Sequence, residues 1–418
     1  MTNQVIKKIV CCGMAVLMLV GMCACSTEQK EEVKLPDVVE VKKPNDFYHE
    51  FQEYILESDM GNENFVVSPV SFRNSMASTT YGAAGETQKE LLSAMGFYGV
   101  NEYQTWVNEI DKFAKIYTFG EEAYNDGSYK DMTLKQAKDG TIYSLVNTIW
   151  QNDTFSSVLF NEQYKTDMKE KFGIDIHNSA IDTFIPDINE FVSSNTRKLI
   201  PEIMDPNTDA SNIPAVFLNT LYFKSVWNIP LTYVDSYNDN FRTKKGEMVE
   251  KEYMKTMAPF NYYKDKDTEL VVLPMQNGVN VAFVKGDIDN VYDKIGQSAI
   301  KRVKVSIPRC SIETSVGKEV FENYLESKGV SLAFTSDGDF STMTNDKRFH
   351  LDGIIQKAKI DMNEKGIEAA ASSVVIGFGN TSVDDYIELN FDSYYTFFVY
   401  TVDDNGNYET MFFGQVCE

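Results

Sequence analysis

Phe47, Phe51, Tyr54 and Ile55 recur at helical spacing, which predicts an amphipathic helix with Asp46 available to cap it. Phe65-Val-Val67 reads as a short strand, and Ser68-Pro69 opens a second helix, proline being tolerated at the first helical position. Residues 86–95 and 161–172 also read as helices, and Ile188, Phe191 and Val192 place another around 186–200. Ala215–Lys224 is a near-continuous apolar run, the pattern of a strand buried on both faces. Glu269–Pro274 and Val279–Lys285 flank Asn277-Gly278, a favoured hairpin turn. Val303, Val305 and Ile307 alternate as a strand, and 318–328 forms a helix closed by Gly329. Tyr394–Val402 and Tyr408–Val416 make a last hairpin around Asn405-Gly406. Interleaved helices and non-local strands of this kind predict an α+β fold.

The first residues have a different character. Lys7-Lys8 precede an apolar run from Ile9 to Met22, long enough for a secretory leader and too short for a membrane span. Met22-Cys23-Ala24-Cys25-Ser26 is similar to a bacterial lipobox, and Cys25, preceded by the small Ala24, is the expected lipid acceptor; simple cleavage to a free secreted protein is the alternative. Residues 1–24 are thus expected to be a lipoprotein signal peptide. Residues 25–45, the lipidated cysteine and a charged stretch poor in large apolar groups, form a tether. From residue 46 to 418 no linker, repeat or break in composition appears, so one domain is expected, with 27 Phe and 23 Tyr to fill a sizeable core.

Four of the six cysteines fall in the leader region. Cys310 and Cys417 remain, without metal-ligand spacing, and are expected as two buried free thiols, one disulfide between them being the alternative; no metal and no cofactor are implied. The net charge of −23 argues against nucleic acid or anionic lipid as a partner. Contact with a membrane is expected only through the N-terminal lipid.

The stretch Asp361-Met-Asn-Glu-Lys-Gly-Ile-Glu-Ala-Ala-Ala-Ser-Ser-Val-Val-Ile376 carries the strongest functional information. A strand-like lead-in with Ala358, Ile360 and Met362 runs into Glu364-Lys365-Gly366, and a run of small residues follows. Strand alternation puts Ile367, Ala369, Ala371, Ser373 and Val375 on one face, and Glu368, Ala370, Ser372 and Val374 on the other. The single charge, Glu368, falls on the second face, so the first face can be buried between two existing strands. On its own, Ala369 to Ser373 also fits a helix start or a linker. A phosphate cradle at Gly377-Phe-Gly379 is excluded, because the third glycine of the pattern falls on Ser382.

This stretch resembles the hinge and reactive-centre loop of the serpins, which trap proteases by inserting a cleaved loop into their own sheet. Further segments resemble that family in its order, from about Phe47 to Val416. They include Asn64-Phe-Val-Val-Ser-Pro-Val-Ser71, Gly82-Ala-Ala-Gly-Glu-Thr87, and Ile188-Asn-Glu-Phe-Val192 with Thr196. Leu218-Asn-Thr-Leu-Tyr-Phe-Lys-Ser-Val-Trp227, Val305-Ser-Ile-Pro-Arg309, Ala333-Phe334, Asp339-Phe-Ser341 and Gln356-Lys-Ala358 continue the series. The resemblance implies a single serpin-like domain with three β-sheets, about nine helices and an exposed loop over about residues 366–386.

It also implies roles. Glu364, Gly366, Ile367, Glu368, Ala369, Ala370, Ala371 and Ser372 form the hinge. Ser68, Ser71, Asn219 and Gln356 form the shutter, where the sheet parts, and Trp227 and Arg309 belong to the breach, where parting begins; Arg309 is expected to pair with Glu364. Sixteen residues on from Glu364, the usual family spacing, the scissile bond falls at Asn380-Thr381. The stretch to Phe391 is longer than usual, so the register is open and Phe378 is the alternative. The implied function is suicide-substrate inhibition of serine or cysteine proteases by a monomer held outside the cytoplasm at the bacterial cell envelope, or released from it.

Four positions depart from the family pattern. Gln356 replaces a histidine, Ile367 a threonine, Phe191 a tryptophan and Gln415 an arginine. Gln356 keeps a hydrogen-bonding amide but cannot titrate, which argues against a pH-switched gate. Ile367 is bulky and is expected to slow insertion without blocking it.

Two rivals differ in class. A non-inhibitory serpin acting as a surface binding protein is opposed by the unbroken small-residue hinge. An enzyme is opposed by the histidines, since none of His49, His177 and His350 has a nucleophile context, and Ser315-Val-Gly-Lys318 lacks a companion K-T-G. No catalytic residue is assigned.

Overall fold

The computed structural model describes residues 47–117, 142–155, 159–232, 237–351, 354–367, 385–403 and 406–418. The chain separates into Met1–Val38 and Val39–Glu418, and all described residues lie in the second unit.

Helix α1 (Phe47–Glu57) turns Phe47, Phe51 and Ile55 inward, as their spacing requires. Strand β1 (Phe65–Val67) is wholly buried and leads into α2 (Pro69–Gly82), capped by Ser68, whose hydroxyl accepts from the Ser71 N–H. Helix α2 is buried on nearly all sides although it carries Ser71, Asn74, Ser78, Thr79 and Thr80. Helices α3 (Gly85–Ala94) and α4 (Val100–Tyr117) precede strand β2 (Ile142–Asn152). Helix α5 (Glu162–Phe172) stops at Gly173 in the left-handed conformation and is followed by β3 (Asp175–Ser179), α6 (Phe184–Asn195) and β4 (Ala215–Val226). Strands β5 (Tyr237–Arg242), β6 (Met248–Lys264), β7 (Thr268–Pro274) and β8 (Asn280–Gly286) run on to the short helix α7 (Val291–Gly296). Then come β9 (Ala299–Pro308), β10 (Cys310–Val316), α8 (Lys318–Ser327), β11 (Gln356–Asn363), β12 (Gly366–Ile367), β13 (Ile387–Asn390), β14 (Tyr395–Val402) and β15 (Tyr408–Val416). Eight α-helices therefore lie among the described residues.

Hydrogen bonding orders one sheet as β10-β11-β12-β4-β2-β3 and the other as β1-β15-β14-β8-β7-β6-β9-β13, with β5 on β6. Strand β6 is long enough to pair in turn with β5, β9 and β7. It divides the larger sheet into a β1-β15-β14-β8-β7 part and a β5-β6-β9-β13 part, which yields the three sheets expected.

Helix α6 lies on the six-stranded sheet, with Phe184, Ile185, Ile188 and Val192 packed against Trp150 of β2 and Leu218 of β4. One helix cannot cover the whole outer face. Strand β4 is accordingly buried on both faces from Thr220 to Phe223, while Ala215, Val216, Phe217 and Asn219 are half-buried.

Candidate functional site

Strand β11 ends at Asn363, turns through Glu364 and Lys365, and returns as the two-residue β12. Gly366 and Ile367 pair antiparallel with Asn363 and Met362 of β11 on one side, and with Val226 and Ser225 of β4 on the other. The start of the small-residue segment is thus wedged between two strands of the six-stranded sheet. Ile367 is 2% exposed. A Cβ on Gly366 would lie 2.0 Å from the Ser225 carbonyl oxygen, so only glycine fits there.

The turn is held from the β4 side. Trp227 Nε1 donates to the Asn363 carbonyl at 2.9 Å, and the Trp227 N–H to the Lys365 carbonyl at 2.8 Å. Leu231 N–H donates to the Glu364 carbonyl at 2.8 Å, and Asn363 Oδ1 accepts from Lys365 N–H at 2.9 Å. Every carbonyl of the turn from Asn363 to Lys365 therefore has a donor. The Glu364 carboxylate accepts from Arg309 at 2.8 and 2.6 Å, and the same guanidinium reaches Glu252 at 2.8 Å. With Arg309 half-exposed, the Arg309–Glu364 pair contributes on the order of 1 kcal/mol or less. Its value lies in fixing the direction of the turn.

A second cluster sits where β11 begins. Gln356 accepts from the Ser68 N–H at 2.8 Å and donates to the Ser68 carbonyl at 2.9 Å, so one side-chain amide ties β11 to the start of α2. The Ser71 hydroxyl donates to Asn219 Oδ1 of β4. Asn219 Nδ2 donates to Asn147 Oδ1 of β2 at 2.5 Å, and Asn147 Nδ2 to the Asn74 carbonyl at 3.2 Å. Strands β11, β4 and β2 are each fastened to α2 through an amide side chain, and β11 and β4 are the strands that flank β12. Bonds of this kind can be exchanged between two packings at small net cost, unlike a dry apolar contact.

The structure thus brings Ser68, Ser71, Asn219 and Gln356 into one network, and Trp227, Arg309, Glu364, Gly366 and Ile367 into another. Glu368, Ala369, Ala370, Ala371, Ser372, Phe378, Asn380, Thr381 and Cys25 lie outside the described residues. Sequence reasoning missed Asn147, Asn74, Leu231 and Glu252. Asn147 had a readable signal, an asparagine inside a strand, where that residue type is depleted. Leu231 and Glu252 had none, since one acts through its backbone and the other is one acid among many.

The remaining departures are accommodated. Gln415 is buried and donates to the Gly61 carbonyl at 2.8 Å, and Phe191 packs edge-on against Trp150 with centroids 5.6 Å apart. Cys310 and Cys417 are both free; Cys417 is buried and Cys310 is partly covered, its thiol pushed up to about 12 by burial. The histidines are dispersed: His49 contacts Glu53 on α1, His177 stacks on Trp150, and His350 faces the Arg348 carbonyl. Among the described residues no three His, Cys, Asp or Glu side chains are grouped to hold a metal, and no helix is long and apolar enough to cross a membrane.

A two-residue strand thus lies between β11 and β4 at one end of a mixed sheet, and a network of side-chain amides joins the sheet to α2. The family model described as serpin (serine protease inhibitor) matches residues 42–418. The chain therefore belongs to the serpin family, described as serine protease inhibitors and not as enzymes. It is 28% identical to serine protease inhibitor 42Dd of Drosophila melanogaster, over 77% of this chain and 84% of the relative. Among solved structures, the native state of the thermophilic serpin tengpin superposes with a TM-score of 0.72 at 20% identity, covering 91% of this chain and 96% of the other. Thyroxine-binding globulin in complex with thyroxine gives 0.70 at 17% identity, covering 89% and 97%.

Proposed function

We propose that this serpin is a suicide-substrate inhibitor of serine or cysteine endopeptidases. The observation that supports it most is β12: Gly366 and Ile367 already occupy the slot between β11 and β4 into which the rest of the loop would follow. The target's nucleophile attacks the carbonyl carbon of Asn380, the Asn380–Thr381 bond breaks, and the amine of Thr381 leaves with a proton as a new N-terminus. The enzyme is left as an acyl ester or thioester on Asn380. The segment from Glu368 onward then zips between β11 and β4, extending a turn that is already formed. Dragging the acylated protease along distorts its catalytic site before water can release it, in the manner of strain-releasing loop insertion.

In this scheme Glu364 and Arg309 anchor the hinge, Trp227 holds the breach, and Ser68, Ser71, Asn219 and Gln356 act as the shutter that must part. Cys25 carries a lipid that tethers the monomeric inhibitor at the bacterial cell envelope, facing away from the cytoplasm.

The test is incubation of residues 26–418 with elastase-, chymotrypsin-, subtilisin- and papain-like proteases, followed by denaturing gels and mass spectrometry of the released fragment. A covalent complex with a fragment beginning at Thr381 is expected; a start just after Phe378 would shift the register and keep the mechanism. Loop cleavage by every protease without any complex would instead assign the chain to the non-inhibitory, ligand-binding serpins.

A further inference from the structure

The second half of α1 and the turn between β8 and α7 meet the start of β14 around a cavity of about 320 Å³. Its walls carry four carboxylates among the described residues, Glu53 and Glu57 on α1 and Asp287 and Asp289 on the turn. The two glutamates are four residues apart and so share a helix face. Lys244, the cation in the described lining, is already committed to the Gly61 carbonyl at 2.6 Å. His49 meets Glu53 at 3.2 Å from outside the cavity. Partial burial raises the Glu53 carboxyl, His49 lowers it, and Asp289, within hydrogen-bonding reach, raises it again, so that it ends above its usual range. Two carboxylates this close are relieved by a cation placed between them.

An independent observation comes from the floor. Thr396 is 5% exposed, and its hydroxyl has no hydrogen-bond partner. Alternation along β14 puts it on the same face as Phe398, which meets Tyr292 of α7 edge-on with centroids 6.1 Å apart. Tyr292 in turn accepts from Gln52 of α1 at 2.9 Å, so this is the face that both helices cover. Thr396 therefore points into the cavity that it lines. A buried hydroxyl without a partner is uncommon in a folded protein, and a bound donor would supply the missing bond.

The lining narrows the ligand's chemistry. The volume lies at the lower end of small-molecule sites. Leu56, between the two glutamates in the chain, and the buried Ile288, between the two aspartates, add an apolar strip to the acidic walls. Among the described residues no three His, Cys, Asp or Glu side chains are grouped to hold a metal. Acidic groups around a short apolar strip match ammonium groups joined by methylenes.

We propose that this cavity binds a short aliphatic diamine. One ammonium sits between Glu53 and Asp289 and donates to the Thr396 hydroxyl. The methylenes lie on Leu56 and Ile288, and the second ammonium faces Glu57 and Asp287. The proposal is independent of the inhibitory reading. The test is calorimetric titration of the purified protein with 1,4-diaminobutane, with 1,4-butanediol and calcium chloride as controls. One-to-one binding of the diamine with a dissociation constant below about 1 mM is expected, and no binding of either control. Glu53→Gln is expected to weaken the diamine about tenfold and Thr396→Val about threefold. Asp337→Asn, an equal charge change on the segment after α8, is expected to alter it less than about twofold. Absence of diamine binding, or equal affinity in Glu53→Gln and Asp337→Asn, would overturn the assignment. Displacement of the diamine by calcium or by the diol at similar concentration would overturn it as well.

Discussion

A β-branched residue is an awkward leader for a segment that slides between strands, yet Ile367 is 2% exposed and already paired on both edges. Its steric demand is met before any cleavage. In the proposed mechanism only the residues from Glu368 onward remain to be inserted, so Ile367 is not expected to slow that step. Gly366 is the more exacting position. Gly366→Ala forces a Cβ against the Ser225 carbonyl and is expected to cost about 1–3 kcal/mol of native stability. Because β12 would be displaced, the same variant should be cleaved without trapping more often; an unchanged thermal midpoint and unchanged stoichiometry would refute this account of the turn. Gln356 makes a second prediction at this scale. Its bidentate amide does the holding without a titratable proton, so the trapping rate, corrected for the protease, should be flat between about pH 6 and 8. A sigmoid step in that range would mean that another group controls the gate. Both residues were legible in the sequence as positions. The resemblance already grouped Gln356 with Ser68, but the Ser225 contact of Gly366 joins residues far apart along the chain and was not legible.

At the scale of elements, the amide network depends on α2 being a buried polar helix. Asn219→Ala would leave the Ser71 hydroxyl and Asn147 Oδ1 without their bonds, at about 1–3 kcal/mol for each buried group left unsatisfied. The closed sheet should loosen, with a lower thermal midpoint and faster loss of activity on warm storage; a variant as durable as the parent would show that this cluster does not hold the gate. The loop makes the opposite demand. Ala371→Arg would place a charge on the face that must be buried and should turn the inhibitor into a substrate, seen on gels as cleavage with no complex.

Elements with strong periodicity, such as α1, β9 and the β14–β15 hairpin, could be read from the chain. Strand β6 could not. Its seventeen residues mix Lys, Glu and Tyr with Met, Thr, Asn and Pro, and buried, half-buried and exposed positions interleave along it as it pairs with three different strands. Helix α4 did carry a readable signal, the buried Tyr103, Trp106, Val107 and Ile110 at helical spacing, whereas in β2 the apolar residues are interrupted by the buried polar Thr148, Gln151 and Asn152. The two-residue β12 is below what any local pattern can specify. It exists because β11 and β4 provide both edges.

At the scale of the molecule, inhibition requires a native state that can gain stability by adding a strand. The composition supplied the acidic charge and the aromatic core, and the order of short segments supplied the family. How the sheet is fastened while it waits became visible only when α2, β2, β4 and β11 were brought together. The central claim is that the cleaved loop completes the six-stranded sheet from β12 downward. It is tested most directly by thermal unfolding of intact protein and of protein nicked within residues 368–384. New strand pairing along both β11 and β4 should raise the midpoint by tens of degrees. A nicked protein that unfolds at the same temperature as the intact one, or below it, would contradict loop insertion and the mechanism built on it.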